Sequence, residues 1–135
     1  MASLSDKRRA YFDPNKLDDA LLKTYVATNP NLIEEAYDYI ESIAGSLGVQ
    51  PQYIYEPTPL LVSNLGVYYA YMTCAQRKSL FAKGGEADND SFALKFKLYK
   101  GLLDSLLNML TANTFTNGVQ ARKRSFPACL SISRN

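Results

Sequence analysis

Apolar positions along this chain recur mostly at three- and four-residue steps, the period of a helix that buries one side. Ile33, Ala36, Tyr37, Ile40, Ile43, Ala44 and Leu47 form one such stripe and predict a helix over 30–47. Leu61, Leu65, Tyr68, Met72 and Ala75, widened by Val62 and Tyr69, predict a longer helix over 59–83. Phe92, Phe96, Tyr99, Leu103, Leu106 and Leu110, broadened by Leu102 and Leu107, predict the last one over 91–112. A short helix over 14–25, with Leu17, Ala20 and Leu21 on its apolar side, precedes them. The punctuation agrees. Asp13-Pro14, Asn29-Pro30 and Thr58-Pro59 each place a capping residue before a proline suited to the first helical position. Asp90 is placed to cap a helix opening at Ser91, while Gly48 and Gly84 stand where the second and third helices should stop. Gly101 interrupts the last helix and suggests a close helix contact there. The expectation is an all-α domain of four helices over residues 1–113, the third long and central.

Beyond residue 113 the helical period is lost. Asn117-Gly118 is a turn signal beside the β-prone Thr114-Phe115-Thr116 and Val119. Further on, Phe126, Ala128, Leu130 and Ile132 alternate with Pro127, Cys129, Ser131 and Ser133. That is the period of an extended segment with one apolar side, so residues 114–135 read as an extended C-terminal arm that docks elsewhere, through Phe126, Leu130 and Ile132.

Charge divides along the chain. Residues 13–56 hold eight acids against Lys16 and Lys23, whereas residues 113–135 carry Arg122, Lys123, Arg124 and Arg134 and no acid. The second predicted helix gathers Glu34, Glu35, Asp38 and Glu41 away from its apolar stripe. Such a split suits two surfaces that meet different neighbours.

With 47% apolar and 21% charged residues in 135, the chain has room and composition for one folded domain. It contains no histidine, which removes Ser-His-Asp and Cys-His catalysis and histidine-ligated metals. Cys74 and Cys129 are too few to hold a tetrahedral zinc alone and read as reduced thiols. The Asp88-Asn89-Asp90 run lacks the downstream glycine and glutamate of a calcium loop. Asp18-Asp19 and Glu34-Glu35 are adjacent carboxylates, and neighbours on a helix do not point together. No nucleotide-binding loop is present, so the sequence predicts neither an enzyme nor a cofactor. Residues 57–76 run without a charge, but eight polar, Pro or Gly positions within them fit a buried central helix better than a membrane span. The early charges Asp6-Lys7-Arg8-Arg9 leave no secretory signal pattern.

In the order of these elements the chain resembles the phage head–tail adaptor (connector) family, small helical proteins that ring the exit of the portal. The resemblance is carried by DPNKLDDALLKTY, IEEAYDYIESIAGSLG, PTPLLVSNLGVYYAYMTC and DNDSFALKFKLYKGLLDSLL, and covers residues 12–113. The link at 48–58, with Pro51 and Pro57, is longer than in that pattern, and no arginine–tyrosine pair ends the second helix. The resemblance implies a non-enzymatic virion protein at the head–tail interface. It would form a ring, commonly of twelve copies, that docks on the portal protein and receives the tail or its terminator. Double-stranded DNA would pass through it without specific binding. On this reading Glu34, Glu35, Asp38 and Glu41 are candidate channel-facing acids, repelling the phosphates of passing DNA, and Arg122, Lys123 and Arg124 orient the docking arm. The alternative is a small helical DNA- or protein-binding regulator.

Overall fold

The computed structural model describes residues 11–81 and 86–118. Five helices follow in order: α1 (Lys23–Ala27), α2 (Pro30–Ser46), α3 (Leu60–Phe81), α4 (Glu86–Met109) and α5 (Ala112–Thr116), with single 3₁₀ turns at Pro14–Lys16 and Pro51–Tyr53. No strand occurs among the described residues. The all-α expectation stands. α3 is the centre: it packs against α1, α2, α4 and α5, and most extensively against α4, which returns antiparallel beside it. At a rise of ~1.5 Å per residue these two helices run roughly 33 and 36 Å.

Local signals explain the longer helices. Asn29 caps α2 by accepting the Leu32 amide, with Pro30 at its first position. Gly48, at φ +83°, ends it, and the Val49 amide returns to the Ala44 carbonyl. Along α3, Val62, Leu65, Ala70, Tyr71, Cys74 and Ala75 are all buried, which is why its sequence shows so little polar face.

Four expectations fail. The first helix does not run from 14 to 25. Asp13 accepts the Asn15 amide and starts only a three-residue 3₁₀ turn. The amides of Asp18 and Asp19 then donate to the Tyr71 hydroxyl, and those of Leu21 and Leu22 to the Asp19 carboxylate, so helix formation resumes only at Lys23. The fourth expected helix starts earlier, at Glu86, which puts Asp90 inside it rather than at its cap. Gly84 lies outside the described residues.

Residues 114–116, expected to open the extended arm, are helical instead. Thr111 and Thr114 form a reciprocal capping box at the start of α5, and Phe115 is fully buried. The Phe115 carbonyl accepts the Tyr55 amide at 2.8 Å, which ties α5 to the segment between α2 and α3. Asn117 and Gly118, at φ +53° and +78°, do make the expected turn, but as the end of a helix. The domain therefore extends past its expected boundary at 113. Phe126, Ala128, Leu130, Ile132, Arg122, Lys123 and Arg124 lie outside the described residues.

The glycine that permits close helix approach is Gly66, not Gly101. A Cβ on Gly66 would sit 2.6 Å from Ile40 Cδ1 and 2.9 Å from the Phe12 ring, where α2 and the leading strap meet α3. A Cβ on Gly101 would meet nothing within 4 Å beyond its own helix.

Candidate interaction surfaces and the Asp19 latch

Two features of the bundle concern function: the acidic face of α2 and a polar knot between the leading segment and the α3–α4 pair. Glu34, Asp38 and Glu41 follow at steps of four and three and share one face of α2. Glu34 and Asp38 are exposed, and Glu41 is half-buried, accepting the Tyr11 hydroxyl at 2.8 Å. Glu35 lies round the helix from these three and faces α3. Its two oxygens accept from Arg77 at 2.8 and 3.3 Å in a paired geometry. The structure thus groups three of the four candidate channel acids and gives Glu35 a partner on α3.

Tyr11 and Phe12 are buried although no helix contains them, and sequence periodicity missed both. Ser63 donates to the Tyr11 carbonyl, and the Tyr37 hydroxyl donates to that of Phe12 at 3.3 Å. The strap is thereby fixed across α2 and α3. Its only sequence signal is an aromatic pair in front of a cap, which no helical or strand period detects.

The knot is centred on Asp19, 5% exposed. One carboxylate oxygen takes the Leu21 and Leu22 amides, at 3.0 and 2.9 Å. The other accepts the Tyr99 hydroxyl of α4 and lies 3.0 Å from the Lys95 ammonium. Burial alone would raise the Asp19 pKa, but the Tyr99 hydroxyl, Lys95 and the Leu22 amide outweigh it and hold the carboxylate below its ordinary value. Beside it, Tyr71 accepts the Asp18 and Asp19 amides at 2.9 and 3.0 Å and donates to the Asp18 carboxylate at 3.2 Å. The Tyr71 and Tyr99 rings pack at 4.7 Å. Burial, together with the neighbouring acids, pushes both phenols above their ordinary pKa.

Every polar group of the knot is committed to another. The Tyr71 hydroxyl makes one donation and two acceptances, and Tyr99 gives its proton to a carboxylate that is already ionised. Neither phenol is activated as a nucleophile or base, and the arrangement acts as a latch between the leading segment and the α3–α4 pair. The shallow groove alongside, about 370 Å³ and lined by Lys16, Asp18, Asn64 and Tyr71 among others, lies open beside it. Buried Cys74 is held as a neutral thiol, its pKa raised by burial. Among the described residues no cluster of His, Cys, Asp or Glu could hold a metal, and no helix is long and apolar enough to cross a membrane. No protein-family model, curated protein or solved structure matches the chain.

Proposed function

We propose that the protein is a structural virion component, a head-to-tail adaptor that forms a ring between portal and tail and leaves a channel for DNA. The observation that carries this reading is the separation of an acidic helix face, Glu34, Asp38 and Glu41 on α2, from a C-terminal segment whose charges are all basic. An acidic face turned to a channel repels phosphate, so DNA slides past it rather than binding. Basic segments in turn suit acidic surfaces of a neighbouring copy or of the portal. The family resemblance of residues 12–113 supports the same reading and suggests twelve copies.

The test is incubation of the purified chain with portal rings encoded in the same genome, followed by sedimentation and electron microscopy. Co-sedimentation with an added annulus of density at one end of the portal supports the adaptor. Failure to associate, combined with retention of duplex DNA at 150 mM salt, overturns it in favour of a DNA-binding regulator.

A further inference from the structure

The outer side of α4 carries the pattern of a seam between two helices. Phe92, Tyr99, Leu103 and Leu106 face the core, and α4 packs chiefly against α3. Away from them, Leu94, Leu98, Gly101 and Ser105 follow at steps of four, three and four, and all are exposed. Those steps hold the four positions on one line, at the spacing by which two helices interlock. Leu102 and Met109, seven residues apart and 39% and 58% exposed, border the line on one side. Lys97 and Asp104, also seven apart and exposed, border it on the other. The line itself holds no charge.

This face is complementary to itself when two copies of α4 meet antiparallel. With the two-fold axis between Tyr99 and Lys100, Leu98 falls opposite Gly101 of the other copy, and Leu94 opposite Ser105. Each large side chain then meets a small one, as close packing requires. In the same register Lys97 of each copy flanks Asp104 of the other, so opposite charges meet twice along one border. A parallel pair would lose both features: Leu98 would face Leu98, Gly101 would face Gly101, and Lys97 would flank Leu102. We infer that α4 is the contact of an antiparallel two-fold pair of this chain, seated on that line and registered by Lys97 and Asp104.

Charge favours a second copy over the chain's own C-terminal segment. Residues 113–135 carry only basic side-chain charges, so they offer Lys97 no carboxylate and bring cations to a helix that already holds Lys95, Lys97 and Lys100. Asp104 lies 3.3 Å from Lys100 of its own helix, and both side chains are more than half exposed. An ion pair that open to solvent is weak enough for Asp104 to take a second cation. A two-fold contact closes on itself and does not propagate. The inference therefore goes beyond the ring reading and does not rest on it.

The experiment is sedimentation equilibrium of the full-length chain from micromolar to submillimolar concentration, with two charge variants. At ~1.5 Å per residue the seam and its borders run roughly 22 Å, a small interface, so a concentration-dependent equilibrium between monomer and pair is expected. Lys97→Asp sets acid against acid along the border, and Asp104→Lys sets cation against cation. Each alone should weaken pairing at least about tenfold. Mixed together, the two variants face each other with opposite signs at both positions, and pairing should return. They differ in mass, so native mass spectrometry separates a mixed pair from a like pair, and recovery on mixing shows that both are folded. Leu98→Lys should abolish pairing while circular dichroism and thermal melting show the bundle intact. A chain that stays monomeric at every concentration overturns the proposal, since the face is then covered by the C-terminal segment or by a different protein. Pairing that both charge variants leave unchanged overturns it as well, because the contact then lies elsewhere. So does failure of the two variants to pair on mixing. Portal association alters none of these readouts, so the two experiments fail separately.

Discussion

The crossing around Gly66 and Asp19 and the outer side of α4 use similar residues to opposite effect. At the crossing, a glycine lies against Ile40 and Phe12, and a carboxylate buried to 5% exposure joins the leading segment to α4. On the outer side, a Cβ on Gly101 would meet nothing within 4 Å beyond its own helix, and leucines of the same helix stand in solvent. Residue type did not separate these two regions. What lies across from each position did, and substitutions should report that difference directly.

The largest effect is expected at Phe115, which is fully buried although it falls past the last long helix. Phe115→Ala should lower stability by about 3–5 kcal/mol in urea titration. A loss below about 1 kcal/mol would instead return α5 to the arm.

Next comes the latch. Asp19→Ala leaves the Tyr99 hydroxyl, Lys95 and the Leu21 and Leu22 amides without their acceptor, at a cost of about 2–4 kcal/mol. Its pH dependence has a definite sign. The folded Asp19 pKa lies below its ordinary 3.8, so the stability it contributes is complete above that value and is lost as pH falls through the lowered one. Tyr71 and Tyr99, and Tyr39 stacked on Tyr69 between α2 and α3 and raised by burial, are held above the ordinary 10.0, so their contribution is complete below pH 10 and is lost as pH rises beyond it. The urea midpoint should therefore be flat between about pH 5 and pH 9 and fall on both sides, with the acid limb shallower in Asp19→Asn.

The two glycines sharpen the comparison most cleanly, because the same substitution should change sign. Gly66→Ala forces Ile40 and Phe12 apart and should destabilise by about 1–3 kcal/mol despite alanine's better helix propensity. Gly101→Ala, in open space, should stabilise by roughly 1 kcal/mol. Equal effects at the two sites would show that the crossing relaxes freely. The smallest change is expected at the exposed pair of Arg77 and Glu35. Arg77→Ala should cost under about 1 kcal/mol, and less still in high salt.

Much of this was written locally. The stripes of α2, α3 and α4, the Asn29-Pro30 start, the Gly48 stop and the Asn117-Gly118 turn all follow from steps of three and four or from the backbone preferences of single residues. The acidic face of α2 was legible for the same reason, down to the spacing of Glu34, Asp38 and Glu41.

Only the tertiary structure decided the rest, because the deciding partners are remote. Tyr71, 53 positions away from Asp18, claims the Asp18 and Asp19 amides that a first helix over 14–25 would have used, and Tyr99, 80 positions from Asp19, holds the carboxylate that takes those of Leu21 and Leu22. Tyr11 and Phe12 are core residues only because α2 and α3 lie over them. β-prone Thr114-Phe115-Thr116 became helical once Thr111 capped it and the core took up Phe115. The period of α4 is compatible with burial on either apolar side. Docking against α3 buried one, so Leu94, Leu98, Leu102 and Met109 are left outside by packing and not by sequence.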